Sequence, residues 1–313
     1  MEKKTKSIKR KRYYFSDLKT NWQLYLLVLI PLAWLAVFKY YPMYGAQIAF
    51  RNYIPANGIL GSEWVGLKNF IQFFKSPQLL MITKNTLAIS LYTLLLNSTL
   101  PIILALGLTY LKHERFKKVV QMTTYLPNFI STVIIVSIIN LLFNTQSGIV
   151  NNAIAAISGE KVNFLGLSKY FRHLYVWSGV WQMTGWNSII YIAALAGVDP
   201  QLHEAAVIDG ADKWKQILHV DIPSILPTIA ITVIMNMGSI LAVGFDKTFL
   251  MQNPSNLMVS EVFSTYEYKV GVGGGLANYS YSAAIGLMAN VITFVLICLT
   301  NKFSKIVSGN GLW

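Results

Sequence analysis

Two stretches of this 313-residue chain look at first like chemistry. His203-Glu204 begins like the HExxH helix of zinc hydrolases, but Val207 stands where the second histidine must be, so no ligand pair exists. Gly61-Ser-Glu-Trp-Val-Gly66-Leu67-Lys68 mimics a phosphate loop, yet Leu67 interrupts the Gly-Lys step on which phosphate binding depends. The four histidines are scattered, and Cys298 is the single cysteine, which excludes an intramolecular disulfide or a cysteine metal cluster. The remaining polar groups of interest lie inside apolar runs: Asn97, Asn140, Asn236 and Asn290, and the stripe Trp177, Trp181, Thr184, Ser188 and Tyr191 at helical spacing. Polar side chains at membrane depth are costly and face protein or water. Sugars suit such a set, because ring C–H faces stack on aromatics while hydroxyls exchange hydrogen bonds with amides. These nine residues are the candidate substrate pathway. The competing roles are an aromatic belt for Trp177 and helix-to-helix bonding for the asparagines.

The elements that carry these residues follow from charge. Hydrophobic residues make up 54% of the chain and charged residues only 12%, against about 25% in an ordinary soluble domain. Charge-free runs cover Thr20–Phe38, Asn85–Leu111, Val119–Gly159, His173–Val198, Ile222–Phe245 and Val270–Asn301. A spanning helix needs about 20 mostly apolar residues. The runs therefore predict an all-α integral membrane protein with six transmembrane helices, their cores at 22–43, 85–110, 119–143, 173–198, 223–247 and 280–301. Pro101 and Pro127 predict kinks in the second and third. The loop 44–84 is expected to hold short interfacial helices around Phe70–Phe74, and Gly271–Gly275 a hinge or a close-packing site.

Lysine and arginine orient the bundle. Of 26 basic residues, 16 fall on the side that holds both ends, including Lys112, Arg115, Lys117, Lys118, Lys213, Lys215, Lys302 and Lys305. That side is cytoplasmic. The chain divides into a basic cytoplasmic segment (1–21), a membrane domain (22–301) and a cytoplasmic tail (302–313). The net charge of +13 is a matter of topology rather than nucleic-acid binding, and the seven basic residues within 3–12 suit anionic lipid head groups. The N-terminus imitates a secretory signal, but its apolar part is long, contains Pro31 and lacks an Ala-x-Ala site. It reads as a retained first helix.

Between the fourth and fifth crossings lies a polar island, 199–227, on the cytoplasmic side. Asp199-Pro200 is a helix start, an acidic cap followed by proline at the first turn. Leu202, Ala205, Ala206 and Ile208 share roughly one face, Gly210 permits the turn that ends the helix, and Asp212 caps a second helix bearing Trp214, Ile217 and Leu218. Pro223 and Pro227 are expected to stop that helix and start the next crossing. The product is a helix–turn–helix with an apolar face, a docking device; its bland alternative is a hairpin lying on the membrane surface.

Glu204-Ala205-Ala206, three residues, Gly210, nine more and Val220-Asp-Ile-Pro223 together resemble the EAA motif of bacterial ABC-importer permeases, with Val220 and Ile222 as conservative departures. Asp209-Gly210-Ala211 is similar to the DGA of carbohydrate-importer members. Tyr41-Pro-Met-Tyr-Gly45, Glu63–Phe70 and Tyr125-Leu-Pro-Asn-Phe129 resemble the LplB-type polysaccharide-permease branch. The resemblance implies a type I ABC importer permease fold with coupling helices in the fourth-to-fifth loop. It implies docking of a cytoplasmic ATPase dimer through Glu204, Ala205, Ala206, Asp209, Gly210, Ala211, Trp214, Ile217, Leu218 and Pro223, with Glu204 as the key polar contact. It implies as partners a second permease, an extracellular binding protein of the lipoprotein kind and an oligosaccharide. ATP and Mg would be bound by the ATPase, and this chain would hold no cofactor or metal and be no enzyme itself. The location implied is the bacterial cell membrane.

Two rivals stay in view. An ion-coupled secondary transporter usually carries a carboxylate within a crossing, whereas Asp246 and Glu267 lie at or beyond helix ends. An ABC permease for a non-sugar solute differs only in cargo.

Overall fold

The computed structural model describes residues 20–241, 243–273, 277–309 and 311. The chain separates into two compact units, Met1–Lys68 and Asn69–Trp313.

In the first unit, helix α1 (Trp22–Leu35) is apolar on every side and buries none of its side chains. A helix with no polar face must be solvated by lipid or by another chain. It continues through a widened π turn, Ala36–Tyr40, to Phe50, a span of 29 residues. Pro42 explains the wide turn: it has no N–H to give Phe38, and Tyr41 N–H bonds back to the Ala36 carbonyl instead. Beyond it, β1 (Arg51–Asn52) pairs antiparallel with β2 (Glu63–Trp64), Arg51 opposite Trp64. The basic residues expected at 1–19 lie outside the described residues.

The second unit is built around α2 (Gln78–Tyr110), 33 residues long and continuous through Pro101. The chain then runs through α3 (Glu114–Tyr125), α4 (Thr132–Leu142), α5 (Ile149–Ser158), α6 (Ser168–Ala196), α7 (Pro200–Ile208), α8 (Lys213–Met237), α9 (Phe245–Met251), α10 (Phe263–Tyr268) and α11 (Tyr279–Ser308). Three apolar clusters are threaded on α2. Ile89 packs with Ile135, Val136 and Ile139 of α4 and Phe171, Tyr175, Val176 and Val180 of α6. Ile82 packs with Phe263, Tyr281, Ile285 and Met288. Ala105 and Leu106 pack with Tyr191, Leu195 and Ile225.

Among the described residues, four helices are long and apolar enough to cross a membrane, and a fifth span arises if one bent pair is counted. That pair is the expected third crossing. It breaks by 102° between Glu114–Phe129 and Thr132–Leu142. Pro127 tightens the chain into a 3-10 turn, Ile130 is extended, and Ser131 caps α4 by accepting from Ile134 N–H. The expected fourth crossing is α6. At 29 residues it is long enough, but Ser178, Gln182, Thr184, Asn187 and Ser188 dilute its apolarity, and it is absent from the four.

The expected core 223–247 is corrected at both ends. The helix begins earlier, at Lys213, and ends at Met237. Pro223 does not interrupt it, because the turn Ile217–Asp221 is widened to the π form and Ile222 N–H reaches the Ile217 carbonyl. The second docking helix and the fifth crossing are one rod. Residues 271–273 of the glycine run form a π turn with Lys269 and Val270, while Gly274 and Gly275 lie outside the described residues.

Gly185 is the tightest seam between helices. A Cβ there would lie 2.0 Å from the Thr124 carbonyl oxygen of α3. Gly185→Val is expected to force α3 from α6 and to cost about 1–3 kcal/mol or more, as overpacking does. Thermal unfolding of the detergent-purified protein should show a lowered midpoint; an unchanged midpoint would mean that the seam yields freely.

Candidate functional site: the docking loop and the polar cleft

The island 199–211 folds by local chemistry. Asp199 accepts from Gln201 N–H at 2.9 Å and caps α7. At its far end Gly210 takes φ +74°, and its N–H bonds the Val207 carbonyl at 3.0 Å while Ala211 N–H bonds Ala206 at 2.8 Å. This six-to-one and five-to-two pair closes the helix, and the left-handed φ is what glycine supplies. Asp212 then accepts from Lys215 N–H at 2.8 Å and caps α8. Glu204, Ala205, Asp209, Gly210 and Pro223 are exposed, whereas Ala206, Ala211 and Ile217 are half-buried. Apolar side chains stand out with them: Val207, Ile208, Trp214 at 73% exposure, and Leu218. A soluble surface seldom leaves so many together without a partner.

Beneath this face lies a buried acid that the sequence reading treated only as a spacer of the motif. Asp221 is 1% exposed. Its Oδ2 accepts from the Tyr110 hydroxyl at the end of α2 at 2.6 Å, and its Oδ1 lies 3.3 Å from His203 Nε2 on α7. One carboxylate thus ties α7, the rod α8 and the end of α2 together. The available signal was a lone acid just before Pro223, where an apolar helix begins.

Of the nine pathway candidates, the structure brings together three. Two adjoining cavities, of 160 and 270 Å³, share Asn97 of α2 and Asn236 of α8. The first is also lined by Ser90, Thr93, Tyr175, Ser239 and Gly244. The second is lined by Trp186, Asn187, Tyr191 and Thr232. Thr93 Oγ1 and Asn97 Oδ1 are buried without a protein hydrogen-bond partner. A buried polar atom left unpaired costs about 1–3 kcal/mol, so water or a hydroxylated ligand belongs there. Tyr191 is 2.8 Å from Thr232 Oγ1, which bonds the Thr228 carbonyl of its own helix; the phenol is then the donor.

The other candidates are elsewhere. Trp177 and Trp181 face α4 across an apolar hollow of 380 Å³, and Trp177 Nε1 donates to the Tyr92 hydroxyl at 2.9 Å. Ser188 is fully buried and donates to the Gly185 carbonyl. Thr184 is half-buried, with its buried hydroxyl unpaired. Asn140 lines a separate cavity with Asn253 and Asn256, and Asn290 is exposed on α11. Thr93, Thr232 and Ser239 escaped the sequence reading, although Thr93/Asn97 and Thr232/Asn236/Ser239 repeat at helical spacing.

Residues 97–308 match the family described as binding-protein-dependent transport system inner membrane component. The chain belongs to this family. It is 40% identical, over 308 residues covering 98% of this chain and 95% of the relative, to the polygalacturonan/rhamnogalacturonan transport system permease protein YteP of Bacillus subtilis (strain 168). It is 38% identical to protein LplB of the same strain over 300 residues, 96% of this chain and 94% of that one. A chain of a bacterial alginate ABC transporter, solved in complex with alginate pentasaccharide-bound periplasmic protein, superposes with a TM-score of 0.87. It is 34% identical and covers 95% of this chain and 99% of the solved one. This is a multi-pass membrane permease of the ABC importers.

Removing the buried acid should loosen the permease at its docking end. Asp221→Ala leaves the Tyr110 hydroxyl and His203 without their acceptor, and a hydrogen bond to a charged group contributes about 1.5–3 kcal/mol. Amide hydrogen exchange over 200–208 is expected to rise sharply, and to rise less in Tyr110→Phe, which forfeits one bond. Equal protection in wild type and Asp221→Ala would show that α7 is held by its caps alone.

Proposed function

We propose that this permease forms, with a second similar subunit, the membrane path of an ABC importer for oligosaccharides. An extracellular binding protein delivers the glycan, and a cytoplasmic ATPase dimer docks on the island 199–227, so both termini are cytoplasmic. The observation that carries the reading is the exposed α7–Gly210–α8 start: a pre-formed, capped knob on which Val207, Ile208, Trp214 and Leu218 stand out beside the exposed Glu204. The coupling follows from rigidity. ATP binding would close the ATPase pair, the docked helices would move with it, and α8 would carry the motion to Asn236 because no joint separates the two. ATP and Mg stay on the ATPase.

The cleft supports the oligosaccharide side of the reading. Asn97, Asn236, Thr93, Thr232, Ser239 and Tyr191 offer amides and hydroxyls, with Trp186 as an apolar plate. Relatives named for polygalacturonan and alginate point to the same kind of cargo. An ion-coupled transporter fits less well: Asp221, the acid buried within α8, is spoken for by Tyr110 and His203 at the helix's docking end.

Glu204→Ala and Gly210→Pro are expected to leave the protein in the membrane yet abolish uptake and release the ATPase during purification in mild detergent. Proline fixes φ near −65°, which the +74° turn cannot accept. Retention of the ATPase by both variants would sink the docking assignment. In the cleft, Asn236→Leu should lower uptake at least tenfold with the ATPase still bound, whereas Trp181→Ala, on the α4 side, should change it less than twofold.

A further inference from the structure

Of the four spans found among the described residues, α11 has the highest mean hydropathy, 2.3, and it carries no charge before Lys302. Tyr281, Ile285 and Met288 turn one side of it into the core. The opposite side is not uniformly apolar. Asn290 stands exposed there near the middle of the helix, and its amide has no hydrogen-bond partner among the described residues. Thr293 follows, half-buried. Thr300 of the same helix returns its hydroxyl to the Leu296 carbonyl at 2.8 Å, as threonines in helices do, whereas Thr293 makes no such bond.

The row begins with an acid. Glu267 of α10 lies against Gly286, whose missing Cβ leaves room for the carboxylate beside the span. Glu267 is half-buried, and the ion pairs among the described residues, Lys269–Glu261 and His203–Asp221, do not include it. Gly286, Asn290 and Thr293 recur at i, i+4 and i+7. The acid, the amide and the hydroxyl therefore follow one another along one face of α11.

Hydrocarbon cannot satisfy such a row, because polar and ionisable groups at membrane depth must meet protein or water. The polar cleft is not their setting. Its two cavities are lined from α2, α6, α8 and the stretch after α8, and α11 lines neither. A second copy of this chain matches poorly, since the stripe holds no cation and would leave both acids unmet. The row calls for a neighbour of complementary chemistry: a cation for Glu267 and a hydrogen-bonding side chain for Asn290.

We infer that this face of α11 is the seam with the second permease subunit, and that a spanning helix of that subunit brings a lysine or arginine to Glu267. The inference rests on the importer reading above, which requires a second subunit without saying which surface it meets.

The test uses the whole importer, expressed with its second permease and ATPase. Asn290 is replaced by the photo-reactive p-benzoylphenylalanine and irradiated in native membranes. A cross-link into a spanning segment of the second permease is expected, located by mass spectrometry. After purification in mild detergent, Glu267→Lys should lower recovery of the second permease at least fivefold, and Glu267→Gln should lower it less. Exchanging the facing lysine or arginine of the second permease for glutamate should restore recovery with Glu267→Lys, which also shows that the variant folds. Cross-links confined to lipid, to this chain itself or to a second copy of it would overturn the inference while the importer reading stands. Full recovery of the second permease by Glu267→Lys would do the same. A complex that contains no second permease would overturn both.

Discussion

A bilayer offers no hydrogen bonds, and this chain is arranged around that refusal. Each backbone amide within the apolar layer must be paired by the chain itself, so the spans are helices. The departures from regular helix fall where side chains supply the missing partner or the fold tolerates a widened turn. Ser131 caps the restart after Pro127; the π turn before Pro223 passes its bond one residue further back; Asn85 uses its amide on the Met258 and Glu261 carbonyls, holding the irregular stretch after α9 against α2. Irregular backbone is carried inside, against α2 and α6.

The same economy separates two kinds of polar residue. Asn85, Asn151 and Asn256 are buried and bonded to backbone, buried Ser260 donates to Asn256 Oδ1, and their work is done within the fold. Thr93 and Asn97 are half-buried with their buried Oγ1 and Oδ1 atoms unspent, beside Asn236, in a cleft between α2, α6 and α8. The contrast marks the cleft as functional more firmly than the presence of polar residues does.

What the sequence made legible was local. The caps Asp199 and Asp212 and the turn at Gly210 depend on neighbours within six residues, and each is found where those residue types place it. The apolar runs located the helices because hydrocarbon solvation is a property of segments. What stayed hidden depends on which helix lies opposite. Trp177 and Tyr191 fall on one stripe of α6 by periodicity, yet the first faces α4 across a hollow and the second faces α8. The 102° break and the end of α8 at Met237 are likewise settled by packing, since α4 and the strand-free stretch after Met237 join the clusters around Ile89 and Ile82. Asp221 was visible as a letter but not as a joint, because Tyr110 and His203 are remote in sequence.

The widened turn in α8 has a further meaning, one of phase. A helix advances about 100° per residue, so the extra residue held between Ile217 and Asp221 sets the angle at which everything beyond it points. Upstream lies the exposed Trp214; downstream are Thr232 and Asn236, which line the cleft. The two halves of the rod are synchronised by that single insertion. Drift in length at this point cannot be neutral: one residue lost would turn the cleft wall by about 100° while Trp214 stayed in place. Segments on either side of it must therefore be inherited, exchanged or engineered as one piece.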